Sequence, residues 1–248
     1  MTPQKFLPLL LDEASQPFRA AGRFAYHYTR GKLSSDSIFR ELLRRGILPP
    51  AGRFLDLGCG QGSLFAWLLA ARALHQRGIW PEDWPPPPAP SALRGVELMP
   101  KDVARAAQAF GTDHPSVRIE QGDMNAADFG RVEVVTILDA LHYFDFAHQE
   151  SVLQRIRDAL TPGGLFLTRV GDAAAGLPFH LCNLVDHAVT FVRGHRLPRL
   201  YCRPLSEWVA LLEKLGFLVA TVPMNEGKPF ANIMLICRLP DDQAPTLC

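Results

Sequence analysis

Between residues 53 and 171, short apolar runs alternate with longer stretches of helical pattern, and no other feature restricts the fold as much. The runs RFLDL (53–57) and RVEVVTILDAL (131–141) have the apolar, partly β-branched composition of buried strands. Between such runs, apolar residues recur at helical spacing, as in SLFAWLLAARALHQR (63–77). Strands that alternate with helices of roughly 10–15 residues predict βαβ units, in which helices cover both faces of a parallel sheet.

The same alternation can be followed through most of the chain. The predicted strands are 53–57, 93–98, 117–123, 131–141, 165–171, 218–224 and 232–239, and the predicted helices are 63–77, 100–111, 146–160 and 205–217. Only the turn NEGKP separates the last two strands, so they should pair antiparallel. We therefore predict a Rossmann-like α/β fold with a seven-stranded, mostly parallel sheet, an antiparallel last strand and helices on both faces.

The composition excludes several classes of protein. Hydrophobic residues make up 48% of the 248 residues and charged residues 21%, as in soluble globular proteins. The net charge of +1 argues against nucleic-acid binding, which needs a basic excess. No stretch approaches the ~20 apolar residues of a membrane span, and the N-terminus lacks a signal-peptide cleavage pattern. The five scattered cysteines contain no C-x-x-C, which predicts reduced thiols in a cytoplasmic protein.

A glycine-rich turn, GCGQG (58–62), follows the first predicted strand. In an open α/β sheet, ligands bind beyond the carboxyl ends of the strands, and glycines let a ligand approach the backbone closely. Dinucleotide enzymes use G-x-G-x-x-G in this place and rest a pyrophosphate on the following helix. Here Asp56 lies just ahead of the glycines; its charge would repel a pyrophosphate but suits an ammonium or sulfonium group.

Two further acids end the next two predicted strands. Glu97 is placed to accept hydrogen bonds from both hydroxyls of a ribose. Asp123 is placed to accept one from an adenine amino group. Three acids at successive strand ends, together with one glycine loop, fit a cationic adenosyl ligand better than a dinucleotide.

Five motifs, LDLGCGQG, GVEL, QGDM, VVTILDALHYF and LTPGGLFL, resemble in this order those of class I S-adenosylmethionine-dependent methyltransferases. The resemblance covers residues 53–171 and, in topology, the last strand pair. It implies S-adenosyl-L-methionine as the cofactor and a methyl acceptor as the substrate. The chain ends, YHYTRGKLSSDSIFRELL and EGKPFANIMLI, resemble a bacterial subgroup associated with aryl-polyene pigment clusters.

The resemblance assigns the matching positions to parts of a cofactor site. Asp56, Gly58, Cys59, Gly60 and Gly62 would line the methionine part, Glu97 would hold the ribose, Leu98 or Met99 would pack on adenine, Asp123 and Met124 would contact adenine, and Asp139 and Ala140 would lie beside the methionine end. On this basis we predict a single domain over residues 1–248. Its parts are a helical cover (1–50), a cofactor-binding core (53–171), a lid insertion (172–204) and the last helix with the strand pair (205–240).

The candidate catalytic residues, His142 and Tyr143, follow the fourth predicted strand. In methyl transfer the protein aligns the reactants and can remove a proton from the acceptor. His142 titrates near neutrality and suits a general base, although it could instead be a structural residue. Tyr143 fits a pocket wall better than a base. The family's DNA and protein amine methylators often carry an Asn/Asp-Pro-Pro-aromatic motif here, whereas LDALHYF has no proline, which favours O- or C-methylation of a small molecule.

The remaining candidates lie outside the core. In FAYHYTRGK (24–32), Arg30 or Lys32 could bind a carboxylate of the cofactor or substrate, or form a solvated basic turn. The histidines of 172–204 lack a motif such as H-x-x-x-H, so no metal site is expected. Aromatic and imidazole side chains that could face an aromatic or acyl-type substrate are Tyr26, His27, Tyr28, Phe179 and His180.

Other functions fit parts of the sequence. An NAD-type oxidoreductase would bind NAD at the glycine loop, and a non-catalytic cofactor-binding protein would bind without turnover. A nucleic-acid methylator would need a basic surface stripe. The proline-rich stretch 79–92 favours a stiffened surface loop, with docking of a partner as the alternative. We expect a monomer or a homodimer.

Overall fold

The computed structural model describes residues 1–174, 200–224 and 232–241. The chain forms two compact units, Met1–Ala127 and Asp128–Cys248. The predicted lid residues Phe179 and His180 lie outside the described residues, and the domain boundaries derived from the sequence stay a prediction.

The first unit contains a helical N-terminal segment and the first three strands. Its helices are α1 (Pro3–Ser15), α2 (Arg23–Ser35), α3 (Ser37–Arg44), α4 (Ser63–Gln76) and α5 (Pro100–Phe110), with a 3₁₀ turn at Gln16–Arg19; its strands are β1 (Arg53–Leu57), β2 (Ala92–Glu97) and β3 (Val117–Gln121). The strands are parallel in the order β3-β2-β1, with Arg53 opposite Ala92 and Leu93 opposite Val117. The helical character of residues 1–50 and the parallel strands agree with the sequence analysis.

Local sequence signals set several of these helix ends. The Asp36 carboxylate accepts a hydrogen bond of 3.2 Å from the Ile38 N–H and caps α3. Pro100 begins α5, where its missing N–H costs nothing, and Gly111 ends it with a φ of 49°. Helices that start and stop on their own signals fix where the connecting loops begin.

The proline-rich stretch between α4 and β2 packs on the N-terminal helices. The Phe6 ring lies edge-to-face with Trp80 at 5.0 Å and with Trp84 at 5.6 Å. A Cβ built on Gly46 would lie 2.8 Å from Pro85 Cγ, so the chain leaves no room there for a side chain. These contacts support the interpretation of the stretch as a stiffened loop.

Main-chain hydrogen bonds close this loop at its base. The Ala89 N–H donates to the Pro50 carbonyl at 2.8 Å, and the Ser91 N–H donates to the Gly52 carbonyl at 2.9 Å. Both bonds precede the first paired residues of β1 and β2, so the two chain segments are already side by side when the sheet begins.

The second unit contains the last four strands. Its strands are β4 (Val132–Leu138), β5 (Leu160–Gly171), β6 (Leu218–Pro223) and β7 (Asn232–Arg238), and its helices are α6 (Phe146–Ala159) and α7 (Leu205–Lys214), with a 3₁₀ turn at Leu141–Tyr143. β4 and β5 are parallel, whereas β7 runs antiparallel to both β5 and β6. The seven strands follow the order β3-β2-β1-β4-β5-β7-β6 in one mixed sheet, which confirms the predicted fold class.

The start of β5 corrects the sequence analysis. The predicted helix ends at 160 and the predicted strand begins at 165, but β5 begins at Leu160. The pairing with β4 shifts between Val132 and Val134, so the TPGG stretch forms an irregular first part of the strand. The Gly163 N–H donates to the Pro240 carbonyl at 3.2 Å, so this stretch pairs with the segment after β7 instead of forming an isolated turn.

Candidate active site

The three glycines of the loop after β1 have left-handed backbone conformations. Their φ angles are 73° at Gly58, 58° at Gly60 and 85° at Gly62. Side-chain-bearing residues are strained in this region. A Cβ on Gly62 would lie 2.6 Å from the Phe110 ring, whereas a Cβ on Gly60 would meet no heavy atom of the described residues within 4 Å. Packing therefore requires the glycine at 62, and Gly60 borders a space that a bound group can occupy.

The Glu97 carboxylate closes this loop onto the end of β2. Its Oε2 accepts a hydrogen bond of 2.7 Å from the Gly60 N–H, and its Oε1 accepts one of 2.8 Å from the Met99 N–H. The side chain is buried. Each carboxylate oxygen can accept a second hydrogen bond, so Glu97 can hold the loop and still accept from two hydroxyl groups. The contact with Gly60 was not foreseen from the sequence.

Cys59 and Asp56 are buried parts of the same loop region. A Cβ on Gly95 would lie 2.5 Å from the Cys59 Sγ, so the thiol fills the space beside β2 that this glycine leaves. Burial, with the nearby charges of Asp56 and Glu97, raises the pKa of the Cys59 thiol well above its ordinary value. The thiol stays protonated and contributes bulk rather than a nucleophile.

The predicted adenine contacts lie at the ends of β2 and β3. The Gly122 N–H donates to the Glu97 carbonyl at 3.0 Å and brings these two strand ends together. The Asp123 side chain is exposed; its Oδ1 accepts two 2.8 Å bonds from Asn125, and no hydrogen bond from the described residues reaches its Oδ2. Leu98 is 61% exposed, and Met124 is buried. An exposed apolar side chain and an exposed carboxylate at the ends of two neighbouring strands are compatible with a purine.

Gln61 fastens the helical cover to the glycine loop. The Gln61 side chain is fully buried, and its Nε2 donates to the Ala25 carbonyl at 2.8 Å and to the Thr29 hydroxyl of α2. Its Oε1 has no hydrogen-bond partner among the described residues. Neither Gln61 nor Thr29 was among the predicted site residues, although a glutamine between two glycines of a loop was a visible signal.

The cationic candidates of the cover are engaged by acids of that same cover. Arg30 lies 2.5 Å from the Asp12 carboxylate, and its Nη1 also donates to the Ser15 hydroxyl at 3.2 Å. The Lys32 Nζ lies 3.9 Å from the Asp36 carboxylate. Binding of a cofactor or substrate carboxylate by these cations stays a prediction.

The aromatic candidates of α2 form two separate pairs. The Arg19 guanidinium donates to the Tyr26 hydroxyl at 3.2 Å and lies 4.3 Å from the centre of its ring. Tyr28 stacks with Phe24 at 5.8 Å between ring centres. His27 is exposed and lies edge-to-face with Tyr26. Whether these side chains face a substrate stays a prediction.

The loop after β4 belongs to the second unit and carries the residues that were predicted to act on the methyl acceptor. Asp139 has a φ of 62°, the single left-handed non-glycine residue in the part of the chain that the structure describes. Arg169 on β5 is 9% exposed; its Nε donates to Asp139 Oδ1 at 2.6 Å, and its Nη2 donates to Oδ2. This bidentate pair offsets the Asp139 charge and favours the strained backbone conformation of that residue.

His142 lies in the 3₁₀ turn that follows Asp139 and the buried Ala140. Burial lowers the pKa of the imidazole below its ordinary value of 6.5; Asp139 opposes this shift and Arg169 adds to it. The Tyr143 ring is 38% exposed and lies edge-to-face with His142 at 4.3 Å between ring centres. A neutral imidazole at pH 7 has the protonation state that a general base requires.

Two negative findings apply to residues 1–174, 200–224 and 232–241. Nowhere in these ranges do three or more His, Cys, Asp or Glu side chains form a group that could hold a metal ion. Within the same ranges, the helices are too short or too polar for one of them to cross a bilayer.

The core of the chain matches a known protein family. Residues 55–166, slightly less than half of the chain, match the sequence model described as a methyltransferase domain. A carboxy-S-adenosyl-L-methionine synthase from Chromohalobacter salexigens is 30% identical over 114 residues, which are 45% of this chain and 37% of that protein. The two matches fall in the same central part of the chain, and the aligned stretch spans little more than a third of that relative.

Solved structures of methyltransferases share the fold. An O-methyltransferase family protein from Burkholderia thailandensis superposes with a TM-score of 0.60 at 18% identity, over 91% of this chain and 63% of that one. Magnesium protoporphyrin IX methyltransferase from Synechocystis, solved with bound SAH, superposes with a TM-score of 0.56 at 16% identity, over 91% of this chain and 93% of that one. At these identities the likeness establishes the fold alone.

Proposed function

We propose that this protein is an S-adenosylmethionine-dependent methyltransferase that acts on a small molecule. The observation that carries the proposal is the glycine loop closed onto Glu97, with open space beside Gly60. The methyltransferase-domain match over residues 55–166 supports it, and so does the SAH bound to a structural neighbour. The cofactor, when bound, supplies an activated methyl group.

The residues of the first unit suit such a cofactor in charge and shape. Main chain at Gly58, Gly60 and Gly62 would accommodate the methionine part, and Asp56 would attract its positive charge. Glu97 would accept hydrogen bonds from the ribose hydroxyls through the lone pairs that the loop leaves available. Residues proposed for the adenine are Leu98, Met99, Asp123 and Met124.

The loop after β4 supports a role toward the acceptor. His142 has a lowered pKa, so its imidazole is neutral near pH 7 and can take a proton from a hydroxyl or a carbon acid. Tyr143 would border the acceptor, and Asp139 and Ala140 would lie toward the methionine end. We infer O- or C-methylation, with an aromatic or acyl-type secondary metabolite as the acceptor.

Finer aspects of the proposal rest on sequence alone. The reduced-thiol pattern and the balanced charge favour a cytoplasmic protein that binds neither nucleic acid nor membrane, as a monomer or homodimer. The motifs at the chain ends favour membership in the bacterial methyltransferase subgroup that is associated with aryl-polyene pigment clusters.

Calorimetry with S-adenosylmethionine, its demethylated product and NAD tests the cofactor assignment. We expect both adenosyl compounds to bind with micromolar dissociation constants and NAD to release no heat. Binding of NAD in place of the adenosyl compounds would favour the oxidoreductase. A gel shift at low salt would reveal a nucleic-acid methylator. Two results together would favour a non-catalytic binding protein. The His142→Asn, Tyr143→Phe double variant would still bind the cofactor, and the wild type would transfer no labelled methyl group to a panel of phenols and acyl compounds.

A further inference from the structure

A fully buried glutamine joins the loop after β4 to a distant part of the chain. Gln149 on α6 has no exposed surface, and its Nε2 lies within hydrogen-bond distance of three carbonyl oxygens. These belong to Leu141 at 3.2 Å, Phe144 at 3.0 Å and Tyr201 at 2.8 Å. Its Oε1 accepts a bond of 3.0 Å from Arg203 Nε. A buried amide is costly unless bonded, and here both ends of the amide are used.

The segment at 201–203 is itself attached to the turn that carries His142. The Tyr201 N–H donates to the His142 carbonyl at 2.8 Å. The Arg203 guanidinium donates to the Phe146 carbonyl at 3.3 Å and to the Glu150 carboxylate at 2.8 Å, and it stacks on the Phe146 ring at 4.4 Å. The turn is therefore held between α6 on one side and the 201–203 segment on the other.

We propose that Gln149 is a positioning residue that fixes the 3₁₀ turn and thereby the His142 imidazole. The inference rests on the proposed function, in which His142 acts on the acceptor. Gln149 bonds the carbonyl of Leu141, immediately before His142, and that of Phe144, two residues after it. It acts through the backbone and touches no reacting atom in this arrangement.

The proton affinity of the His142 imidazole depends on its position, so a titration can report a displacement of the turn. Asp139, Arg169 and burial set its proton affinity together, and the Tyr143 ring lies against it. A turn released from Gln149 exposes the imidazole to water and moves it relative to these charges. A role of Gln149 in the stability of α6 alone would leave the titration of His142 unchanged.

The experiment follows histidine Cε1 signals by NMR across pH in protein labelled with ¹³C-histidine, with His142 assigned from a His142→Asn variant. In Gln149→Met we expect the His142 signal to move and its pKa to rise toward the ordinary value of 6.5, because the released imidazole is less buried. The matched control is Gln154→Met, the same substitution on the exposed side of α6, where the Gln154 amide donates to the Asp158 carboxylate. The control should titrate like the wild type.

Calorimetry with SAH keeps the outcomes separate. SAH affinity measured by calorimetry should stay within about twofold in both variants, because the Gln149 amide bonds Leu141, Phe144, Tyr201 and Arg203, which are not proposed cofactor residues. A wild type that binds no SAH would contradict the proposed function, while the His142 comparison still tests the positioning role.

A folded Gln149→Met protein with an unchanged His142 titration overturns the inference. If that variant does not fold, Arg203→Gln withdraws the bond to Oε1 and leaves the three carbonyl contacts in place. A smaller shift of His142 in the same direction is expected in Arg203→Gln. No shift in that folded variant overturns the inference as well.

Discussion

The left-handed backbone of the loop after β1 is permitted by the loop's own glycines, whereas the loop after β4 is shaped by side chains that reach it from other elements. Gly58, Gly60 and Gly62 adopt left-handed conformations that the residue type itself permits. Asp139 adopts a similar φ without being a glycine, and Arg169 holds it there. The backbone conformation of the proposed cofactor loop therefore depends on residues within the loop. That of the proposed acceptor loop depends on contacts between residues that are distant in the sequence.

The largest expected effect comes from filling the space at Gly60. Gly60→Val should weaken binding of S-adenosylmethionine by about 100-fold or more, equivalent to ~2.7 kcal/mol, because the side chain occupies the space of the methionine part. Calorimetry measures the loss. Gly78→Val is the matched control, since Gly78 also has a positive φ, 72°, and open space around its Cβ but lies outside the loop. Equal losses in both variants would contradict a cofactor site at Gly60.

A smaller loss of cofactor affinity is expected when the loop keeps its glycines but the Glu97 carboxylate is removed. Glu97→Ala should weaken cofactor binding by ~1–3 kcal/mol, because two ribose hydroxyls and the Gly60 N–H lose their acceptor. Glu97→Gln should recover part of the affinity, since the amide oxygen still accepts. An unchanged affinity in Glu97→Ala would assign the carboxylate to loop structure alone.

The attachment of α2 to the glycine loop should affect stability. Thr29→Val removes a buried acceptor from the Gln61 amide and should lower the free energy of unfolding by ~1 kcal/mol. Urea unfolding measures the change. Ser34→Ala on the exposed side of α2 provides the comparison. An equal change in the free energy of unfolding in both variants would contradict a stabilising role for the bond between Gln61 and Thr29.

The smallest expected effect concerns the charge beside His142. The imidazole pKa is lowered in the folded protein, so the unfolded chain binds a proton first and stability falls as pH drops below about 6.5. Arg169→Met removes a cation and leaves Asp139 uncompensated, and both changes raise the pKa of His142. Asp139→Asn should lower it further. NMR titration of His142 measures both shifts, and shifts of the same sign in the two variants would contradict this electrostatic account.

Local pattern predicted the first region well. RFLDL is β1 with the predicted bounds. The Asp56, Glu97 and Asp123 carboxylates lie at or within two residues of the ends of β1, β2 and β3, as expected, since strand ends and glycines are short-range signals. The antiparallel pairing of β6 and β7 also followed from the short connection between them.

The contacts that shape the second region could not be predicted in this way. Gln149 and Tyr201 are separated by 52 residues, and Asp139 and Arg169 by 30, so no periodicity within an element indicates either pair. The early start of β5 was missed for a related reason. TPGG is typical of a turn, but long-range pairing with β4 and with the segment after β7 makes it part of a strand.

The two main-chain bonds at the base of the proline-rich loop have a practical consequence. Ala89 and Ser91 are hydrogen-bonded to Pro50 and Gly52 just before β1 and β2 begin to pair. A change in the length of chain between α4 and these bonds should therefore leave the register of β2 on β1 unchanged. We expect this loop to accept a grafted peptide or a fluorescent tag near Pro86, which is exposed, without displacing Glu97. Such a graft would give a reporter fixed to the rim of the β1–β2 layer.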